Sequence, residues 1–125
     1  MLEIIQTRNA PSPIGPYSQA IRANGFVFVS GQIPVDPDTG EVIAGDVAAQ
    51  AKQVMKNLAA VLDAAGSGLI NVVKTTIFLT DLDDFPGVNR IYGEYLGEVR
   101  PARATVQVGR LPKGVMLEVE AIALA

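Results

Sequence analysis

The sequence has neither cysteine nor histidine. Without cysteine there are no disulfides, thiolate nucleophiles or cysteine-rich metal sites, which fits a reducing compartment. A cytoplasmic location is expected. The absence of histidine excludes more. The usual general base, metal ligand and pH switch are all missing, so acid–base chemistry falls to carboxylates, tyrosine, lysine or bound water. A Ser-His-Asp triad is impossible. Long apolar runs are absent as well: none approaches the ~20 residues of a membrane span. Met1–Gln6 carries an early Glu3 and no long apolar stretch, so neither a secretory signal nor a membrane partner is expected. Positive charge is outweighed, with 10 Lys and Arg against 13 Asp and Glu and a net charge of −3. An acidic surface repels phosphate backbones, so no nucleic-acid partner is expected.

What remains is a core-forming chain. Hydrophobic residues make up 49% of 125 positions, enough for a single domain over residues 1–125 that buries roughly two-thirds of its unfolded surface. Asn24-Gly25, between Ser18–Ala23 and Phe26–Gln32, is the preferred pair for a tight hairpin turn. Asp46 is placed as an N-cap for a helix in which Val47, Ala51, Val54, Met55, Leu58, Leu62 and Ala65 recur at helical spacing, and Gly66 is placed to end it. Val72–Leu79 reads as a largely buried strand. The acids Asp81, Asp83 and Asp84 open a second helix striped by Val88, Ile91, Tyr92, Tyr95 and Leu96. Two further strands, Thr105–Val108 and Val115–Leu124, are joined through a turn at Leu111–Gly114.

The order β-β-β-α-β-α-β-β predicts an α+β architecture, a mixed six-stranded sheet with both helices on one face. Alternation then assigns faces. Ala104, Val106 and Val108 are expected under the helices, and Arg103, Thr105 and Gln107 on the other side. Along the last strand Leu117, Val119, Ala121 and Ala123 point one way. Met116, Glu118, Glu120, Ile122 and Leu124 point the other. The second face mixes acids with large aliphatics, the composition of an oligomer interface carrying a polar site, and Arg103 is expected to share it with Glu118.

Few residue types are left to do chemistry. Arg103, just after Pro101, presents a planar fork that binds carboxylates bidentately and stays charged at any working pH; it serves either as a ligand clamp or in a surface ion pair. Glu118 and Glu120 lie close enough along one strand to perturb each other, as a base and its neighbour or as solvated edge charges. Tyr17, following Gly15-Pro16, either closes over a ligand or packs in the core. Ser30-Gly31-Gln32 ends a strand where backbone groups and a hydroxyl can meet a ligand. Asp36-Pro37-Asp38-Thr39-Gly40-Glu41 lacks the twelfth-position glutamate of a calcium loop, where Val47 stands. Gly66-Ser67-Gly68 follows a helix rather than a strand, unlike a dinucleotide loop. No metal and no cofactor are expected.

Seven segments in order resemble the Rid (reactive intermediate deaminase, or YjgF) family: Ile14–Tyr17, Ser30–Pro34, Val72–Thr76, Val88–Tyr92, Arg100–Arg103, Arg110–Lys113 and Glu118–Ala123. The resemblance implies a chorismate mutase-like fold and a homotrimer with a pocket between each pair of subunits. It implies hydrolytic deamination of 2-imino acids and their enamine tautomers, 2-aminoacrylate and 2-aminocrotonate, to 2-keto acids and ammonia. By position, Arg103 would clamp the substrate carboxylate and Glu118 would place or activate the attacking water. Tyr17 would close the pocket, and Ser30, Gly31 and Asn89 would line it. Thr105 stands where many bacterial members have cysteine, which implies a backbone contact there and sets aside thiol-based regulation. Within the same fold, a non-catalytic carboxylate-binding or regulatory protein is the main alternative, and an endoribonuclease or translation inhibitor the lesser one.

Overall fold

The computed structural model describes residues 1–125. Strands β1 (Leu2–Ile5), β2 (Ala20–Ala23) and β3 (Phe26–Gln32) lead into helix α1 (Val47–Ala64). Strand β4 (Val72–Leu79), helix α2 (Phe85–Leu96), β5 (Ala102–Gln107) and β6 (Leu117–Leu124) follow. They form one sheet in the order β1-β2-β3-β6-β4-β5. Every pairing is antiparallel except β4 with β5. A parallel pair needs a crossover; α2 supplies it, and so lies beside β5.

Local chemistry explains the elements. Asn24 and Gly25 both take positive φ, 52° and 82°, as a tight primed turn requires. The Asp46 carboxylate accepts the Ala49 N–H at 3.0 Å and starts α1. At its end Gly66, with φ 74°, lets Ser67 N–H reach the Leu62 carbonyl at 2.9 Å. Asp81 caps the single 3₁₀ turn Leu82–Asp84 that leads into α2. Leu58, Val61 and Leu62 of α1 are fully buried with Val27 of β3 and Val119 and Ala123 of β6, so the core lies between the sheet and the helices. Both helices cover one face, as expected. No helix is long and apolar enough to cross a membrane.

Two expectations change. β5 begins at Ala102 and β6 at Leu117, and although joined in sequence they are separated by β4. The faces of β5 are also reversed. Thr75 stands level with both Arg103 and Ala121, and Thr76 with both Ala104 and Glu120. Arg103, Thr105 and Gln107 therefore face the helix layer, while Ala104 and Val106 share the open face with Glu118 and Glu120. The physical reason is that β5 is an edge strand beside the start of α2. Two of its polar side chains find partners there, Gln107 Oε1 accepting the Leu82 N–H at 2.9 Å and Arg103 NH1 donating to Asn89. Its valine is left to the open face, where Phe28, Val106 and Leu124 are all exposed.

Candidate functional site

Arg103, the second residue of β5, points at α2. Its NH1 donates to Asn89 Oδ1 at 2.7 Å, and its guanidinium carbon lies 5.0 Å from the Phe85 ring centre and 5.2 Å from that of Tyr92. Phe85, Asn89 and Tyr92 recur on one stripe of the helix. Tyr92 is itself fixed, because its hydroxyl and Thr75 Oγ1 form a buried hydrogen bond of 2.7 Å. The cation is thus held by neutral groups alone. No carboxylate pairs with it, so its remaining N–H donors stay available to an anion. Beside it opens a cavity of about 480 Å³ between α2 and the start of β5.

Glu118 occupies the opposite face of the sheet. In β3 the register shifts between Val29 and Gln32, so that Ser30 and Gly31 bulge opposite β6, a device that re-aims groups near sites. The Glu118 carboxylate lies so close over Gly31 that a Cβ there would stand 1.8 Å from Oε2. Only glycine leaves that space. Burial, and secondarily the neighbouring Glu120 charge, push the Glu118 carboxyl above its ordinary range. Gly31 also lines a separate cavity of about 430 Å³ with Tyr17, Ile14, Ile33 and Lys113. Tyr17 is 55% exposed at its edge and so is not a core residue.

Other expected site residues fall unevenly. Asn89 meets Arg103 directly. Ser30 donates its hydroxyl to the Ser18 carbonyl at 2.6 Å and braces the chain behind Tyr17. Thr105 is half-buried on the helix side, with Arg103 and away from Glu118. Within one chain Arg103 and Glu118 do not meet, contrary to the shared face expected from alternation. No group of three or more acidic side chains gathers as a metal site; Asp36 Oδ1 instead accepts the Asp38 N–H at 2.8 Å in its own loop.

Phe85 was missed from the sequence, and so were three buried amides. Gln19 Oε1 accepts the Thr7 N–H at 2.7 Å, while its Nε2 donates to the Pro11 carbonyl at 2.8 Å, tying down the loop that carries Tyr17. Asn57 of α1 donates to the Ile33 and Val35 carbonyls at 3.0 Å each. Gln50 accepts the Met116 N–H at 2.9 Å, just before β6. For Gln50 and Asn57 the only available signal was an amide on an otherwise apolar helix stripe; Gln19, in the loop before β2, offered none.

The model of the family described as Endoribonuclease L-PSP matches residues 7–125. A RutC family protein of Pyrococcus horikoshii is 55% identical over 123 residues, covering 98% of each chain. A crystal structure from Yersinia pestis, described as a member of the conserved Rid protein family, superposes with a TM-score of 0.97 at 50% identity over both full chains. The chain belongs to the Rid family. The human Rid relative named 2-iminobutanoate/2-iminopropanoate deaminase is 49% identical over 121 residues, covering 97% of this chain and 88% of its own. The sheet and helices described above are the fold of this family.

Proposed function

We propose that this protein is a hydrolase acting on C=N bonds, which deaminates 2-imino acids and their enamine tautomers to 2-keto acids and ammonia in the cytoplasm. The observation that carries the reading is Arg103, a guanidinium held rigid by Asn89, Phe85 and Tyr92 with no carboxylate of its own. An iminium carbon is already electrophilic. Its hydrolysis needs an anchored carboxylate, a placed water and one group to manage a proton, and no metal, cofactor or histidine. Arg103 clamps the carboxylate. Glu118, half-buried and inclined to hold a proton, positions the water and takes its proton on attack. Tyr17 closes over the substrate, with Gly31, Ser30 and Thr105 bounding the space by backbone and small side chains.

Because Arg103 and Glu118 lie on opposite faces of one chain, a working site takes one from each of two copies. The open face, with Phe28, Val106 and Leu124 exposed, supports that association, and a closed ring of three copies presents each face to a neighbour. The human relative's name supports the chemistry. The endoribonuclease reading of the family model finds less support, since the chain lacks histidine and carries net negative charge. The test generates 2-iminobutanoate in situ and follows its loss with a chemical trap. Arg103→Ala is expected to lower kcat/KM about a hundredfold, ~2.7 kcal/mol. Equal rates for wild type and Arg103→Ala would sink the proposal.

A further inference from the structure

The cavity beside Arg103 holds a second arginine. Arg100 lines it together with Arg103, Asn89, Tyr92, Gly93 and Leu96, and no carboxylate lines it at all. In a chain with more acids than bases, both guanidinium groups lack an acidic partner. The ion pairs present are Arg22 with Glu3 and Arg90 with Glu94. Arg100 is nevertheless held in place. Its NH1 donates to the Gly97 and Val99 carbonyls, at 2.5 Å and 2.9 Å, where the negative end of α2 attracts a cation. Its Nε–H and second amino group make no hydrogen bond in the structure.

Gly93 gives the cavity its room. Glycine inside a helix is less stable than alanine, and no atom lies within 4 Å of where a Cβ would stand at Gly93. Packing therefore does not require glycine there. A side chain at that position would project into space that the cavity uses. Two fixed, unneutralised guanidinium groups around an open space form a receptor for two negative charges.

We propose that Arg100 and Arg103 together bind a dicarboxylate, so that the preferred substrates include 2-imino dicarboxylic acids whose side-chain carboxylate lies on Arg100. This rests on the reading of Arg103 as the clamp for the first carboxylate. Arg100 is then a specificity-determining residue and takes no part in bond making.

The test is calorimetric binding of the corresponding stable keto acids at fixed ionic strength, with 2-oxoglutarate as the dicarboxylate and 2-oxobutanoate as the monocarboxylate. Wild type should prefer the dicarboxylate about tenfold, 1.4 kcal/mol, and the preference should shrink as salt is added. Arg100→Gln should bring the ratio of the two affinities near one, and Arg100→Lys, which keeps the charge without the fork, should leave it in between. Equal affinities in wild type, no binding of either acid, or a preference that survives Arg100→Gln would each overturn the proposal. The imine-trap assay reads separately. Dicarboxylate preference in a protein that turns over no imine would leave the two-arginine site standing and remove the hydrolase reading.

Discussion

The two polar regions of this molecule are built in opposite ways. Around Arg103 the sequence adds groups: two rings and an amide from α2, with a buried Tyr92–Thr75 hydroxyl pair behind them. Around Glu118 it removes them, leaving a bulge and a glycine so that a carboxylate can lie against bare backbone. The cation keeps its charge because guanidinium is never deprotonated, and neutral partners orient it without neutralising it. The acid is desolvated and crowded by Glu120, which makes it ready to hold a proton. One region leaves the donors of a cation open, the other strengthens a carboxyl's hold on its proton, and a sheet separates them. On the proposed reading each is half of a site, and each has what the other lacks.

The largest effect should come from joining the halves across copies. Arg103→Ala and Glu118→Ala should each be nearly inactive alone. If every site takes Arg103 from one subunit and Glu118 from the next, unfolding and refolding an equal mixture leaves half the subunits competent on either side of each site. About a quarter of the wild-type activity should then return. No recovery, in a mixture shown by mass to contain mixed oligomers, would mean that the halves never combine.

Gly31→Ala should act on the acidic half alone. The new Cβ would meet the end of the Glu118 side chain, which can swing aside, so stability should change little. Displacing the carboxylate by an ångström or more should still lower kcat by up to about a hundredfold. A large loss of stability with kcat intact would show that Gly31 serves the backbone instead.

Much of the fold was legible because it rests on local chemistry. Asn24-Gly25, Asp46 and Gly66 each satisfy a backbone requirement within a few residues, and the burial period of Val54, Leu58, Val61 and Leu62 is internal to one helix. The face of β5 was not legible. Its alternation of Ala104 and Val106 with Arg103 and Thr105 fits either assignment until it is known that β5 is an edge strand under the start of α2. Sequence reasoning placed the valine inward by hydrophobicity, and the hydrogen bonds from Arg103 to Asn89 and from the Leu82 N–H to Gln107 decided the contrary. Asn57 escaped notice for a similar reason, since the carbonyls it braces at Ile33 and Val35 lie more than twenty residues away; Gln19 closes its own irregular loop, which has no periodicity to mark it. The individual polar residues could be picked out, but not which of them face each other.

A smaller effect separates support from contact in the basic half. Tyr92→Phe keeps the ring beneath Arg103 but leaves the Thr75 hydroxyl, 1% exposed, without its partner. An orphaned buried hydroxyl costs about 1–3 kcal/mol, so the urea midpoint should fall. Any catalytic loss should appear in KM before kcat, because on the proposed reading the hydroxyl supports the substrate clamp and takes no part in placing the water. Unchanged stability would mean that Thr75 finds another partner and that the pair is not what fixes the ring.

The smallest change in stability concerns the acid, and its direction follows from proton binding. The Glu118 carboxyl is raised above an ordinary value of 4.5, chiefly by burial. Between the ordinary and the raised value the folded protein therefore holds a proton that the unfolded chain has released. The stability associated with that proton is fully present below the ordinary value and is lost as pH rises through the raised one. At neutral pH the charged carboxylate is a net cost to the fold. Glu118→Gln, neutral throughout, should be slightly more stable than wild type at about pH 7 and equal to it near pH 4, while hydrolysis falls sharply at every pH. In wild type the acid limb of kcat/KM should lie above 4.5, where the carboxylate loses its proton. Paired urea titrations and pH–rate profiles check both halves of the claim. If Glu118→Gln is instead less stable at neutral pH, the carboxylate has a favourable partner in the assembled protein, and the cost of burying it is offset there.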